Sequence, residues 1–239
     1  MFLIIKKSKI FALLGLLLLV SGFSWIYQYG ASIQAVSTQE IAADKGTVLI
    51  IDPGHGGEDG GAVAADGTVE SDINLSIAKK LESQAKLMGW KTLMTRREDI
   101  SIYDDNCKTL REKKVSDLKN RVKLCNETDN GVLISIHQNS LPDAKNVRGA
   151  QVFYNQFFGS KELAEAIQLR LNTFINGDHP KTAKPIGSNV YLLSHAQCPS
   201  VIVECGFLSN GEDLLQLTDE YYQKKISAVI FAAAIDHLS

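Results

Sequence analysis

The sequence predicts an α/β fold, a sandwich in which helices flank a mostly parallel β-sheet. Three observations after residue 46 predict it. Short apolar runs rich in β-branched residues recur along the chain, amphipathic stretches with helical spacing lie between them, and glycine-rich or polar turns separate the two kinds of segment. Strands that alternate with helices are typical of a sheet covered by helices on its faces.

The predicted strands share an apolar run bounded by turn residues. They are Val48–Ile51, Trp90–Arg96, Gly131–His137, Gly149–Asn155, Asn189–Ser194 and Ser200–Phe207. The predicted helices share apolar residues three or four positions apart. They are Ser71–Met88, Val115–Asn126, Ser160–Phe174 and Tyr221–Leu238.

Length and composition are typical of a globular enzyme or binding protein. The chain has 239 residues, of which 45% are hydrophobic and 22% charged, and its net charge is -2. This length predicts one domain of about 190 residues after an N-terminal accessory segment. Without a basic excess, we expect no binding to nucleic acid.

The N-terminus has the pattern of a targeting segment. Lysines 6, 7 and 9 precede an apolar stretch, Ile10 to Tyr27. Because positive residues stay in the cytoplasm, the domain after the stretch is expected to be extracytoplasmic. The polar tract that follows argues against a buried core helix.

Two interpretations of this stretch remain open. The whole stretch is long enough to span a membrane, with Trp25 and Tyr27 as interfacial aromatics, and a retained anchor is favoured. Its denser part, Ile10 to Val20, has signal-peptide length before a passable cleavage site. We therefore divide the chain into an anchor or signal peptide at 1–30, a linker at 31–46 and a working domain at 47–239.

Four cysteines are present, and none forms a C-x-x-C pair: Cys107, Cys125, Cys198 and Cys205. A cysteine zinc site is therefore not expected. Disulfides are possible outside the cell. We favour small buried side chains, because Cys205 lies in an apolar strand and Cys125 on an apolar helix face.

Three ionisable residues end or interrupt buried strands. His55 follows the first strand in a glycine-rich loop, His137 ends another apolar run, and Glu204 lies inside a third. The loops at the carboxyl ends of strands are where α/β proteins collect their ligands. An unpaired buried carboxylate is costly, so Glu204 is expected to meet a metal or a substrate proton.

Two imidazoles with an acid in loop reach of the first form a known type of metal site. Glu70, which lies just before the predicted helix Ser71–Met88, is such an acid, although alone it is explained by an interaction with the helix dipole. Two histidines and a carboxylate that leave one position open are typical of catalytic zinc. A nearby glutamate can then move the proton of the attacking water to a leaving amine.

The motifs resemble those of one family, the zinc-dependent N-acetylmuramoyl-L-alanine amidases (amidase type 3) of bacterial cell-wall metabolism. The resemblance runs from about Thr47 to the C-terminus, with the motifs in family order. It is carried by "IDPGHGGEDGGAV", Glu70 with Asn74-Leu75, Thr95-Arg96 with Asp99, Arg121, Asn126, "SIHQNS" and "VECGFLSN".

This resemblance implies a fold, an activity and a set of roles. The fold is a phosphorylase/hydrolase-like three-layer sandwich, and the reaction is hydrolysis of the amide between N-acetylmuramic acid and L-alanine in peptidoglycan. Zn²⁺ would be bound by His55, Glu70 and His137, and Glu204 would be catalytic. Asn139, in the "SIHQNS" motif, is a candidate for substrate binding.

Within the family, a short N-terminal membrane segment and a bare catalytic domain look like the germination-specific amidases of spore formers. That type removes stem peptides from spore cortex before a deacetylase forms muramic-δ-lactam. The expected partners are peptidoglycan, a membrane through the N-terminal segment, and an activating lipoprotein of the kind some spore formers use.

Two other functions remain as alternatives. A zinc peptidase or carboxypeptidase acting on cell-wall peptides would use the same ligands, and a membrane protein could bind peptidoglycan without catalysis. The remaining histidines, His179, His195 and His237, are expected in loops or at the terminus. Of these, only His195 is expected to lie near the site, at a strand end, as a candidate for contact with substrate.

Overall fold

One six-stranded sheet forms the centre of the domain. The structure is a computed structural model and describes residues 46–238. In chain order the strands are β1 (Val48–Pro53), β2 (Lys91–Met94), β3 (Gly131–Asn139), β4 (Gln151–Tyr154), β5 (Lys184–Pro185) and β6 (Ser200–Phe207). Their order across the sheet is β2-β1-β3-β6-β4-β5. Every neighbouring pair is parallel except β4 and β6, so the mostly parallel sheet is confirmed.

Helices cover the sheet. In chain order they are α1 (Glu70–Leu87), α2 (Leu110–Asn126), α3 (Ser160–Leu171), α4 (Tyr191–His195), α5 (Gly211–Thr218) and α6 (Glu220–Leu238). Helices α1, α3 and α6 contribute to the larger apolar cluster, whereas α2 and α4 contribute to a second one. The predicted three-layer arrangement is thus observed.

The central strands explain why the sequence has continuous apolar runs. Leu49 and Ile51 of β1 join the larger cluster, and Ile50 between them joins the second. Successive side chains of a strand point to opposite faces, and both faces of this sheet are buried. Strand β1 therefore needs apolar residues at every position until Asp52.

One predicted strand is wrong. The segment Asn189–Ser194 contains no strand; its residues enter α4, a helix of five residues. Leu192 and Leu193 of α4 are buried in the second apolar cluster. A short apolar run fits a buried strand and a buried helical turn equally well, and here packing outside the sheet decides for the helix.

Several other element boundaries differ from the predicted ones. Helix α2 begins at Leu110, five positions before the predicted start, because Thr109 and Glu112 form a reciprocal capping box. Helix α3 ends at Leu171 and continues as a π-helical turn, Asn172–Asn176. Neither β5 nor α5 was predicted: β5 has two residues, and Asn210 caps α5 with its side chain.

All four cysteines are free thiols, and three of them, Cys125, Cys198 and Cys205, are buried. This agrees with the interpretation of cysteine as a small apolar residue. Within residues 46–238, no helix has the length and apolarity needed to cross a membrane. The predicted N-terminal membrane segment and most of the linker lie outside the described residues.

Candidate active site

The predicted site residues meet at one edge of the sheet. Strands β1, β3 and β6 are neighbours and parallel, so their carboxyl ends lie together. His55 follows β1, His137 lies near the end of β3, and Glu204 is in β6. The register pairs His137 directly with Glu204.

Two histidines and a glutamate converge there. One ligand atom from each of His55, Glu70 and His137 lies within 4.8 Å of the others. His55 Nε2 is 3.4 Å from Glu70 Oε1, and His137 Nδ1 is 3.0 Å from the same oxygen. The histidines therefore present different ring nitrogens to a common point.

Glu70 is a buried residue of the site as well as the first residue of α1. Its Oε2 accepts a hydrogen bond from the Ala62 amide at 2.9 Å, and its Oε1 accepts one from the Gln138 amide at 3.1 Å. The side-chain amide of Asn74 also donates to Oε1, at 3.2 Å. Burial alone would raise the pKa of Glu70, but its hydrogen bonds with His137 and His55 hold that pKa well below its usual range. The carboxylate is thus fixed and ionised.

Two glycines make room for these side chains. A Cβ on Gly54 would lie 2.1 Å from His137 Nε2, and a Cβ on Gly61 would lie 2.6 Å from Glu70 Oε2 and 2.7 Å from His55 Cδ2. No side chain fits at such distances. The glycines of the first loop are therefore required by close approach as well as by backbone geometry.

The donor set fits a zinc ion. Tetrahedral zinc with bonds of about 2.0–2.2 Å separates its ligand atoms by about 3.4 Å. The two separations measured at Glu70 Oε1, 3.4 and 3.0 Å, are close to that value. Nitrogen and carboxylate oxygen are also ligands that zinc accepts.

His55 sits in a strained position. Its φ is +60°, in the left-handed region that non-glycine residues rarely adopt. Its Nδ1 is 3.0 Å from Asp59 Oδ2. Burial lowers the pKa of His55, but the hydrogen bonds to Asp59 and Glu70 outweigh it and raise that pKa to about 9.

Two buried arginines hold the loop that carries His55. Arg121 donates to the backbone oxygens of Pro53 and His55, at 2.9 and 2.8 Å. Arg96 donates to the backbone oxygens of Pro53 and Gly54, at 2.9 and 3.0 Å. These contacts give the carbonyl groups of the loop hydrogen-bond partners.

Asp52 balances the charge of Arg121. Its carboxylate accepts hydrogen bonds from Arg121 at 2.5 Å, Thr95 at 2.6 Å and Ser135 at 2.6 Å. Burial raises the pKa of Asp52, but Arg121 and the two hydroxyl groups lower it to about 2. Asp52 therefore joins β1 to β3, to the end of β2 and to α2.

Glu204 is the one group of the predicted site left without a hydrogen bond on a buried oxygen. Its Oε2 has no partner among residues 46–238. Burial raises the pKa of Glu204 to about 7, while His137 lowers it and Glu70 raises it by smaller amounts. A carboxyl group with this pKa can accept and donate a proton near neutral pH.

A cavity of about 280 Å³ opens over the site. His55, His137, Glu204 and Asn139 line it. One wall is apolar and is formed mainly by Phe153, Ile186, Val190, Leu192 and Ile202. The prediction that Asn139 binds substrate stays a prediction.

The other histidines lie elsewhere. His195 is exposed at the end of α4, not at a strand end; its ring stacks on Tyr191, which lines the cavity. His179 is exposed and contacts Arg148, and His237 is in the last turn of α6. A role was predicted only for His195, and its contact with substrate stays a prediction.

Sequence reasoning missed Asp59 as a site residue. Asp59 lies in the glycine-rich motif "IDPGHGGEDGGAV", four positions after His55. This spacing is the sequence feature that could have identified it. A tight loop that returns on itself brings residues four apart together, and a ligating histidine usually gives its second nitrogen to a carboxylate or carbonyl.

Comparison with known proteins gives the family. Residues 49–236 match the family described as N-acetylmuramoyl-L-alanine amidase. The germination-specific N-acetylmuramoyl-L-alanine amidase of Bacillus subtilis (strain 168) is 30% identical over 195 residues, which are 82% of this chain and 81% of that protein.

Solved structures agree. The CwlD amidase from Clostridioides difficile, solved in complex with the GerS lipoprotein, has a TM-score of 0.76 and 38% identity, covering 80% of this chain and 98% of that one. An N-acetylmuramoyl-L-alanine amidase from Clostridium difficile 630 has a TM-score of 0.71 and 27% identity, covering 82% of this chain and 98% of that one.

The chain belongs to the N-acetylmuramoyl-L-alanine amidase family. It is an enzyme of peptidoglycan, an amidase acting on the N-acetylmuramoyl-L-alanine bond. The resemblance seen in the motifs and the fold that it implied are both confirmed.

Proposed function

We propose that the protein is a zinc-dependent amidase in which His55, Glu70 and His137 bind the metal and Glu204 transfers protons. The observation that carries this proposal is the convergence of the three ligand atoms within 4.8 Å at the strand edge that also holds Glu204. The space that Gly54 and Gly61 leave for the ligands, and the two donor separations at Glu70 Oε1 near the tetrahedral value, support zinc as the ion.

The metal and Glu204 would have separate roles in the reaction. Zinc, when bound, supplies a Lewis acid beside the scissile carbonyl. Glu204 takes a proton from the water that attacks the carbonyl carbon, and it gives a proton to the alanine nitrogen as the C–N bond breaks. The pKa of Glu204, about 7 because of burial, suits both transfers.

The proposed substrate is spore-cortex peptidoglycan. The named relatives support it, since one is a germination-specific amidase and another was solved with a lipoprotein. The enzyme would remove stem peptides from muramic acid before a deacetylase forms muramic-δ-lactam, with a lipoprotein as activating partner. Muropeptide analysis of spores from a deletion strain tests this role: loss of the lactam supports it, and a normal lactam content contradicts it.

The proposed location is the outer face of a membrane. The support is the sequence pattern of three lysines before an apolar stretch. A membrane segment would also raise the effective concentration of the enzyme at newly made peptidoglycan.

Product analysis tests the reaction itself. The purified full-length protein is incubated with zinc and with cortex or vegetative peptidoglycan, and the products are identified by mass spectrometry. An amidase releases peptides with a free L-alanine amine and leaves free lactyl carboxyl groups on muramic acid. Loss of C-terminal residues from the stem peptide would instead identify a carboxypeptidase, and no products either with or without the lipoprotein partner would identify a binding protein.

A further inference from the structure

The loop that carries His55 folds back so that its own carboxylate reaches the histidine. The Gly56 amide donates to the Asp59 carbonyl at 2.8 Å, and the Asp59 amide donates to the Gly56 carbonyl at 3.3 Å. These two bonds close the loop into a tight bridge. His55 has a φ of +60°, and its ring nitrogen Nδ1 lies 3.0 Å from Asp59 Oδ2.

A second contact fixes Asp59 from outside the loop. Lys114 Nζ of α2 is 3.1 Å from the same oxygen, Asp59 Oδ2. Both Asp59 and Lys114 line the cavity over the site. Asp59 is thus held between a neighbouring helix and the ring that it contacts.

The contact determines which nitrogen of His55 can bind a metal. A neutral imidazole carries one proton, and a carboxylate beside Nδ1 keeps the proton on that atom. The lone pair of Nε2 then points at the place shared with Glu70 and His137. The opposite tautomer would set a lone pair against the carboxylate and a proton against the metal.

We propose that Asp59, held by Lys114, is a positioning residue that fixes the tautomer and ring orientation of His55 for metal binding. This inference rests on the proposed function of His55 as a zinc ligand. Asp59 contacts His55 Nδ1, whereas the proposed ligand atom is Nε2, so Asp59 acts on the metal through the His55 ring. Carboxylates in this arrangement contribute roughly 10- to 100-fold to metal affinity.

Zinc affinity of the full-length chain is the first test. Competition with a chromophoric chelator is measured for the wild type, Asp59→Ala, Asp59→Asn and the control Glu58→Gln. Glu58 is the neighbouring acid, and it contacts Lys113 and Tyr103, not His55. Asp59→Ala is expected to weaken zinc binding roughly 10- to 100-fold, Asp59→Asn less, and Glu58→Gln not at all.

NMR of the His55 ring distinguishes a positioning role from a purely structural one, because only the positioning role changes the proton on Nδ1. In the zinc-loaded wild type, the His55 ring is expected to show a hydrogen-bonded proton on Nδ1 and none on Nε2. Asp59→Asn, which keeps nearly the same shape, is expected to expose that proton to faster exchange with water. Lys114→Met should change the exchange rate in the same direction, by a smaller factor.

The outcomes separate this inference from the proposed function. If the wild type binds zinc at His55 but Asp59→Ala and Asp59→Asn bind it within twofold of wild type, the positioning role is wrong. If the wild type binds no zinc, the proposed function fails instead. Should Asp59→Ala not fold, Asp59→Asn alone decides between these outcomes.

Discussion

Each of the three proposed zinc ligands is positioned by a group that is not itself reactive. Backbone amides of Ala62 and Gln138 hold Glu70, Asp59 holds His55, and the missing side chain of Gly54 leaves space for His137. Such supporting contacts set reacting groups to within fractions of an ångström, which catalysis requires. Small changes in them should therefore have large effects.

Replacing Glu204 separates proton transfer from metal binding. We predict that Glu204→Gln keeps the zinc and lowers kcat roughly 100-fold or more, because the amide cannot carry the proton. His137→Ala should lose both zinc and activity. Metal content by plasma mass spectrometry and turnover on peptidoglycan check both variants, with the exposed Glu127→Gln as control. Loss of zinc from Glu204→Gln would mean that Glu204 is a ligand.

Adding one methyl group at Gly54 should displace His137. The new Cβ would lie 2.1 Å from the ring nitrogen, so the ring must move by about 1 Å or more. We predict that Gly54→Ala lowers activity by roughly 100-fold and weakens zinc binding. The matched control is Gly211→Ala, where a Cβ meets nothing within 4 Å. Equal activity of the two variants would show that the site tolerates the shift.

At the scale of elements, the strands that deliver the site were predictable and their surroundings were not. Strands β1, β3 and β6 are buried on both faces, so their apolar runs are long, and an ionisable residue ends or interrupts each run: Asp52, His137 and Glu204. Both histidines and Glu204 could be found from this pattern alone. Glu70 was a weaker candidate, because a first-turn acid is common in helices, and it gained weight only in combination with the two histidines.

The wrong element predictions fall in segments where the local sequence favours helix and strand equally and tertiary packing determines which one forms. The segment that forms α4 has apolar residues with no decisive period, and its burial under the second apolar cluster selects the helix. Helix α5 is short, and only the Asn210 cap marks its start. Asp59 was not predicted as a site residue, because its contact with His55 depends on the backbone conformation of His55, which composition does not reveal.

The ion pair between β1 and α2 makes stability depend on acid pH. The pKa of Asp52 is 3.8 in the unfolded chain and about 2 in the folded protein. Its contribution to the free energy of unfolding is therefore complete above about pH 4 and is lost as the pH falls toward 2. That contribution is about 2 kcal/mol. We predict that the difference in unfolding free energy between wild type and Asp52→Asn shrinks over this range. Urea unfolding at a series of pH values measures it, and a constant difference would contradict the assignment.

For the whole molecule, the N-terminal segment is predicted to determine location and not chemistry. Removing residues 1–30 should move the protein from the membrane fraction to the soluble fraction. Its activity on isolated peptidoglycan should stay within about twofold, because the site is built from Asp52 onward and no membrane is present to raise the concentration of a tethered enzyme at this substrate. Fractionation and turnover check the two parts separately. A truncated protein that still sediments with membranes would place the membrane contact in the remaining domain.

The central claim is that one zinc ion joins β1, α1 and β3 at the edge of the sheet, with Glu204 beside it and unbound. The most direct measurement is an anomalous difference map at the zinc edge, from crystals grown with zinc at neutral pH. We predict one peak within bonding distance, about 2.0–2.2 Å, of His55 Nε2, Glu70 and His137 Nδ1. A map with no peak at that point, or with the peak bonded to Glu204, would contradict the claim.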